Sequence, residues 1–310
     1  FLPQLDRRAG LTSAARVVFS FWLRRMWRLW PAAWAWLAII LVCVLCFNSS
    51  GAFGTLRANL YATLAGVLQY ANIRFMHTFG VSEYGVSFVY WSLALEEQFY
   101  LVFPIIALMG RRYLLFVLVV ILSLQLFANK HHSALLMMFR IDGIALGVLL
   151  AMWSQTQSYL KFNPAAVLAS PILRSLVVSS LIVALAVLAT PKVDLFFKMG
   201  LIAVISAVLV WMASYNEGII FPDCKVRRIL EYVGCRSYAI YLVHVPVFFF
   251  TREVWGRVNH TAQFDPSYFY LFLGTALVLV WMMSDITYRL IEVPLRKRGA
   301  LLAKRLQPTA

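Results

Sequence analysis

The sequence predicts an all-α protein: a polytopic bundle of about eight transmembrane helices with both termini cytoplasmic. Three observations carry that expectation. Hydrophobic residues make up 62% of the 310 residues and charged residues only 13%, whereas soluble domains run near a quarter charged. Mean hydropathy is +0.78. The long apolar stretches also lack the polar face, at period 2 or 3.6, that a soluble core element would carry. No repeat or low-complexity linker interrupts the chain, so residues 1–310 are read as a single membrane domain.

Taking about 20 residues as the length that crosses a bilayer, apolar runs fall at about 30–47, 91–109, 113–129, 134–153, 172–189, 196–213, 237–251 and 268–291. The first follows a Trp- and Arg-rich segment, and the second opens on Trp91. The third follows Arg111 and Arg112, and the fifth follows Pro171. A further run, Leu56 to Tyr70, contains Arg57, Asn59 and Gln69 and is weaker. With the eight strong runs crossing, Arg7 to Arg28, Arg111–Arg112, Lys225 to Arg236 and Arg296 to Arg305 all fall on one side. Counting Leu56–Tyr70 as a crossing would move Arg111–Arg112 away from the basic N-terminal segment. The positive-inside rule therefore sets Leu56–Tyr70 at, or dipping into, the outer surface. The net charge of +15, from 28 basic and 13 acidic residues, is then cytoplasmic loop charge, and no nucleic-acid partner is implied.

On this topology three spans bring ionisable residues to one depth. Glu97 lies about 9 Å below Trp91 at the outer interface, from ~1.5 Å of rise per residue. Arg140 and Asp142, and His244 on another span, lie about 10 Å deep by the same rise. Glu96 and Glu97, Arg140 and Asp142, and His244 would thus meet in a polar chamber, and intramembrane ionisable clusters mark function. Each element also has a purely structural explanation. Arg140 with a glutamate can be an ion pair, and His244 can be a satisfied core histidine. Tyr241 and His244, on one face with Ser237, can simply bond between helices.

A second candidate site is "FWLRRMWRLWP" (Phe21 to Pro31), where Arg24, Arg25 and Arg28 alternate with Trp22, Trp27 and Trp30. Guanidinium forks bind phosphates and indole faces stack on flat rings, yet Arg and Trp are also ordinary interface anchors. Four cysteines suggest no disulfide framework. Cys43 and Cys46 lie inside an apolar run without a second ligand pair, so no metal site is expected.

"YWSLALEEQFYLVFP" resembles the H-x-W-S-L-S-x-E-E-Q-F-Y signature of the acyltransferase 3 family of integral membrane O-acyltransferases. "FWLRRMWRLWPAAW" is similar to that family's R-x-x-R segment, and "MMFRIDGIALGVLLA" to its R-x-D-x-x-x-x-G span. "YVGCRSYAIYLVHVPV" resembles S-Y-x-x-Y-L-x-H-x-P, and "YRLIEVPLRKR" the closing E-x-P-x-R. The five motifs occur in family order from Phe21 to Arg298. The resemblance implies a ten-helix enzyme of the bacterial inner membrane. It would move an acyl group, acetyl in the first place, from cytoplasmic acyl-CoA to a hydroxyl of an extracytoplasmic saccharide or lipid-linked glycan. Acyl-CoA would be a co-substrate, with no permanently bound cofactor. Glu97, Glu96 and His244 would be catalytic. Trp91, Arg140, Asp142, Tyr241 and Ser237 would line the chamber, and Arg24, Arg25 and Arg28 would hold the CoA phosphates. The family's two leading helices, and the histidine on them implied as main base, are expected ahead of Phe1. The alternatives are a transporter or flippase for surface-glycan components, which would leave its cargo chemically unchanged, and an inactive scaffold.

Overall fold

The computed structural model describes residues 11–126, 139–164, 168, 170–215, 220, 224–258 and 266–306. His131 and His132, expected in an outer loop, lie outside them. All regular structure among the described residues is helical. In chain order the main helices are α1 (Leu11–Cys46), α2 (Leu56–Val67), α3 (Ala71–Thr78), α4 (Tyr90–Leu108), α5 (Arg111–Leu126), α6 (Asp142–Trp153), α7 (Gln157–Lys161), α8 (Pro171–Ala189), α9 (Lys198–Ser214), α10 (Lys225–Cys235), α11 (Ser237–Val258), α12 (Phe269–Thr287) and α13 (Val293–Leu306).

Each of the eight predicted runs carries one of these helices. Among the described residues, four helical stretches are long and apolar enough to cross a bilayer: Ser13–Cys46, Val86–Leu108, Pro171–Ala189 and Phe269–Leu306. A fifth is reached if α10 and α11 form one broken crossing. The count falls below eight because α5, α6 and α9 have only 16, 12 and 17 residues. For α5 and α6 the missing length adjoins 127–138, outside the described residues. The weak run Leu56–Tyr70 forms the 12-residue α2, about 18 Å long at 1.5 Å per residue and too short to cross. Leu68 is its C-cap, and the next residue, Gln69, takes a left-handed φ of 59°.

The chain forms two compact units, residues 1–108 with 233–310, and residues 109–232. In the first, the middle of α1 supplies the core: Trp36, Leu37, Ile40 and Val44 pack with Phe53, Val86, Tyr90, Leu93, Leu242 and Val243. Helix α13 lies directly on α1. A Cβ at Gly299 would stand 2.3 Å from the Trp27 Cβ, so only glycine permits this approach. Between helices the contacts are largely side chain to carbonyl. Tyr90 donates to Ala33 O at 2.8 Å and Tyr238 to Leu29 O at 2.6 Å. Pro104 sits inside α4 and has no N–H, so the Tyr100 carbonyl lacks its intrahelical donor. The Trp22 indole of α1 donates to that carbonyl at 3.0 Å.

A buried carboxylate anchors the segment after α1. Glu253 of α11 accepts from Ser49 Oγ at 3.0 Å, from Ser50 N at 3.0 Å and from the Ser50 hydroxyl. It also accepts from Arg257 Nε at 2.9 Å. Asn59 does the same for α2 and the segment before α4: its amide donates to Phe53 O and Thr55 O, and its oxygen accepts from Val86 N.

In the second unit, Val178 of α8 and Met212 of α9 form a small core with Leu181, Val208 and Trp211 around them. Tyr159 and Tyr215 stack with centroids 4.3 Å apart and planes 3° from parallel. The buried Lys198 ammonium donates to Thr190 O and Val193 O at 2.7 and 3.1 Å.

Trp22→Phe should orphan the Tyr100 carbonyl and cost about 1–3 kcal/mol. In a Pro104→Ala background, where the substituted backbone regains the missing N–H, the same change should cost clearly less. Thermal unfolding of the detergent-solubilised single and double variants tests this, and equal costs in both backgrounds refute the pairing. Glu253→Ala strips a buried anion from its donors and should cost about 3–5 kcal/mol; an unshifted unfolding midpoint would contradict its anchoring role.

Candidate active site

One face of α4 gathers polar side chains. Ser92, Glu96 and Tyr100 recur at four-residue spacing, so their side chains stack along one stripe about 12 Å long. At one end, the Tyr100 hydroxyl donates to the Glu96 carboxylate. The Arg25 guanidinium sits 4.3 Å over the Tyr100 ring and 5.5 Å over Phe21, a cation–π clamp worth about 0.5–1 kcal/mol where exposed. Arg24 Nη1 donates to Ser20 Oγ at 2.8 Å, and Arg28 is exposed beside them on α1.

At the other end, Ser92 Oγ meets the Tyr241 hydroxyl at 2.6 Å. Tyr241 also donates to Val89 O at 2.5 Å. A phenol has one proton, so with Val89 O receiving it, Ser92 is the donor to Tyr241. His244, one turn along α11, has Nδ1 2.7 Å from Tyr241 O and 3.2 Å from Ile240 O. Carbonyl oxygens only accept, so Nδ1 carries the proton and the neutral ring keeps its lone pair on Nε2. The fold thereby sets the tautomer a general base needs.

Glu97 is different. Its Oε1 is buried and completes no hydrogen bond, and the same is true of the Trp30 indole N–H and of Glu292 Oε2. The Trp30 indole approaches the Glu97 carboxyl without reaching hydrogen-bond geometry. Tyr238 lies within electrostatic range of Glu96, Glu97 and Glu292. Glu292, 3% exposed, sits at the end of a π-helical turn spanning Tyr288–Glu292 between α12 and α13. Its Oε1 stands 3.7 Å from Arg296 Nη1. Such turns re-aim side chains and recur at functional sites.

The sequence matches the profile of the family described as "Acyltransferase domain" over residues 9–285. The chain belongs to this acyltransferase family. It is 26% identical over 320 residues to the protein named O-acetyltransferase OatA of Staphylococcus aureus (strain NCTC 8325 / PS 47), covering 91% of this chain and 48% of the relative. The same values hold for O-acetyltransferase OatA of Staphylococcus aureus (strain COL). The chain thus spans about half the length of the curated relatives it matches. No solved structure matches it.

Against this membership, the placement of the expected residues can be stated one by one. Glu96, Tyr241 and His244 lie on or beside the α4 stripe, and Glu97 lies on the same helix with its orphaned oxygen. Trp91 stacks on Phe75, centroids 6.1 Å apart. Ser237 is the exposed first residue of α11, and the hydroxyl that reaches Tyr241 is that of Ser92. Gln98 points elsewhere, bonding to Asn72 and to Gln69 O. Arg140 and Asp142 belong to the second unit, where Arg140 Nε lies 3.4 Å from Asp142 Oδ1 and Nη1 lies 3.3 Å from Met199 Sδ. Among the described residues no three His, Cys, Asp or Glu side chains are close enough to hold a metal ion. Sequence reasoning quoted Ser92, Tyr100 and Glu292 within its motifs without giving them a role. The four-residue spacing of Ser92, Glu96 and Tyr100 was a legible signal; the π turn that buries Glu292 was not.

Tyr241→Phe removes the donor to Val89 O and the acceptor for Ser92 while leaving the His244 anchor, a main-chain carbonyl, in place. It should destabilise by about 1–3 kcal/mol. An unfolding midpoint equal to wild type would show that the paired hydroxyls contribute nothing.

Proposed function

We propose that this chain is the membrane domain of an O-acetyltransferase. It would take an acetyl group from acetyl-CoA at the cytoplasmic face and place it on a hydroxyl of an extracytoplasmic saccharide or lipid-linked glycan. The observation that carries the reading is the α4 stripe, which links an arginine clamp at one end to a base-ready histidine at the other. The expected eight crossings would put both termini in the cytoplasm of a bacterial cell and α2 at or dipping into the outer surface of its inner membrane. Arg24, Arg25 and Arg28 would then stand where the CoA phosphates arrive.

The chemistry follows from the residues. The acceptor hydroxyl attacks the thioester carbonyl as the main-base histidine implied by the family resemblance takes its proton, with His244 Nε2 as a secondary base. The C–O bond forms, the C–S bond breaks, and the departing CoA thiolate takes the proton back. General-base assistance of this kind contributes typically 10²–10⁴-fold. The tetrahedral oxyanion needs donors aimed at it. Glu96 and Glu97 would hold and orient the polar groups of the two substrates. As carboxylates in hydrocarbon they are retained at an energetic cost that function explains.

Membranes containing the full-length protein should transfer label from radiolabelled acetyl-CoA to saccharide. Glu97→Gln should abolish the transfer at unchanged protein level; full transfer by that variant refutes the assignment. Saccharide recovered without label from wild-type membranes would point to transport instead. A green fluorescent protein inserted after Leu306 should fluoresce and alkaline phosphatase at the same point should be inactive; the reverse pattern overturns the topology.

A further inference from the structure

The acceptor must be held beside the reaction centre, and one cavity in the first unit is built for that. It lies among the segment after α1, the end of α3 and the segment leading into α4, and has a volume of about 390 Å³. Ligand cavities typically run about 300–1,000 Å³. Resting on the acyl-transfer reading above, we propose that this cavity is the docking subsite for an uncharged sugar ring of the acceptor.

Its lining alternates ring faces with oxygens. Phe75, Phe79 and Phe249 supply flat apolar surfaces, and Thr78, Ser82 and Glu83 supply polar groups. A pyranose has the same two characters, with C–H faces and a hydroxyl edge. Glu83 accepts from Thr55 N and Thr55 Oγ1, both at 2.9 Å. An ionised carboxylate has about four acceptor positions, so about two remain for sugar hydroxyls. Thr78 donates its one proton to Arg74 O at 3.0 Å, which leaves its oxygen free to accept. Among the described residues, no Lys or Arg lines the cavity. Arg74, the nearby cation, is committed to Tyr84 O at 2.8 Å and to the Tyr84 ring 4.1 Å below it. A phosphate or other anion would find no partner here and would face the Glu83 carboxylate. A lipid tail would strand the oxygens.

The walls are fixed before anything binds. Arg74 holds Tyr84, and Asn59 Oδ1 accepts from Val86 N at 2.9 Å, so little ordering remains to be done on binding. At the rim Phe79 is 62% exposed and Val81 82% exposed, apolar surface that a sugar face would cover.

The cavity and the centre are built on the same elements. The cavity's wall residue Phe88 immediately precedes Val89, whose carbonyl holds Tyr241. Its wall residue Phe249 is five residues beyond His244 on α11, about 7.5 Å of helix rise.

The test uses membranes containing the full-length protein, radiolabelled acetyl-CoA, and the delipidated envelope-saccharide fraction of the producing cell as titrated acceptor. Two variants at exposed positions keep folding out of the question: Phe79→Ala removes a ring face and Ser82→Trp fills the space. Each should raise the half-saturating saccharide concentration about tenfold, or about 1.4 kcal/mol, while the half-saturating acetyl-CoA concentration stays put. Saccharide half-saturation unchanged in both variants, with wild type active, overturns the subsite alone. No labelled saccharide from wild-type membranes removes the acyl-transfer reading and the subsite with it.

Discussion

A polar atom beyond the reach of water must find its partner inside the protein, and this one constraint organises the first unit. In hydrocarbon each unsatisfied group costs several kcal/mol. The Tyr100 carbonyl freed by Pro104 is met by Trp22, and the Glu253 carboxylate is met by Ser49, Ser50 and Arg257. Asn59 ties three backbone groups together in the same way. Because most such groups are paired, the exceptions carry meaning. In the first unit Trp30 Nε1, Thr63 Oγ1, Ser87 Oγ, Glu97 Oε1 and Glu292 Oε2 are buried without completing a hydrogen bond, and the Trp30 indole lies against the Glu97 carboxyl. Unspent bonding capacity in a low-dielectric interior is what a transition state can use.

The same rule explains the histidine. Tyr241 O and Ile240 O are main-chain acceptors one turn back on α11, and together they fix the imidazole proton on Nδ1. Orientation is thus supplied by helix geometry and needs no further carboxylate. The Tyr241 side chain is meanwhile committed to Val89 O and Ser92, which ties α11 to the start of α4. The helix that carries His244 and the helix that carries Glu96 and Glu97 are therefore tied together by a pair of hydroxyls.

Much of this was legible in the amino-acid order. Composition placed the chain in a bilayer, and each of the eight apolar runs carries a helix in the structure. Leu56–Tyr70 yields only a short helix, in keeping with its Arg57, Asn59 and Gln69. Glu96, Glu97, Tyr241 and His244 stood out because ionisable and hydroxyl groups inside apolar runs are costly, so their presence is a signal in a single sequence. Ser237 and Ser92 show the limit of that method. Both are serines at helical spacing from something polar, and only packing decides which one meets Tyr241.

By itself, then, the sequence determined which segments are helical and which residues are out of place in lipid, because both follow from local hydrophobicity and from spacing along one helix. The tertiary structure decided what those residues touch. The donor for the Tyr100 carbonyl comes from 78 positions away and a donor for Glu253 from 204. The π turn that buries Glu292 depends on how α12 and α13 meet α1. No periodicity encodes such pairings: each arises where two helices from distant parts of the chain bring their unsatisfied groups together and exclude water from both.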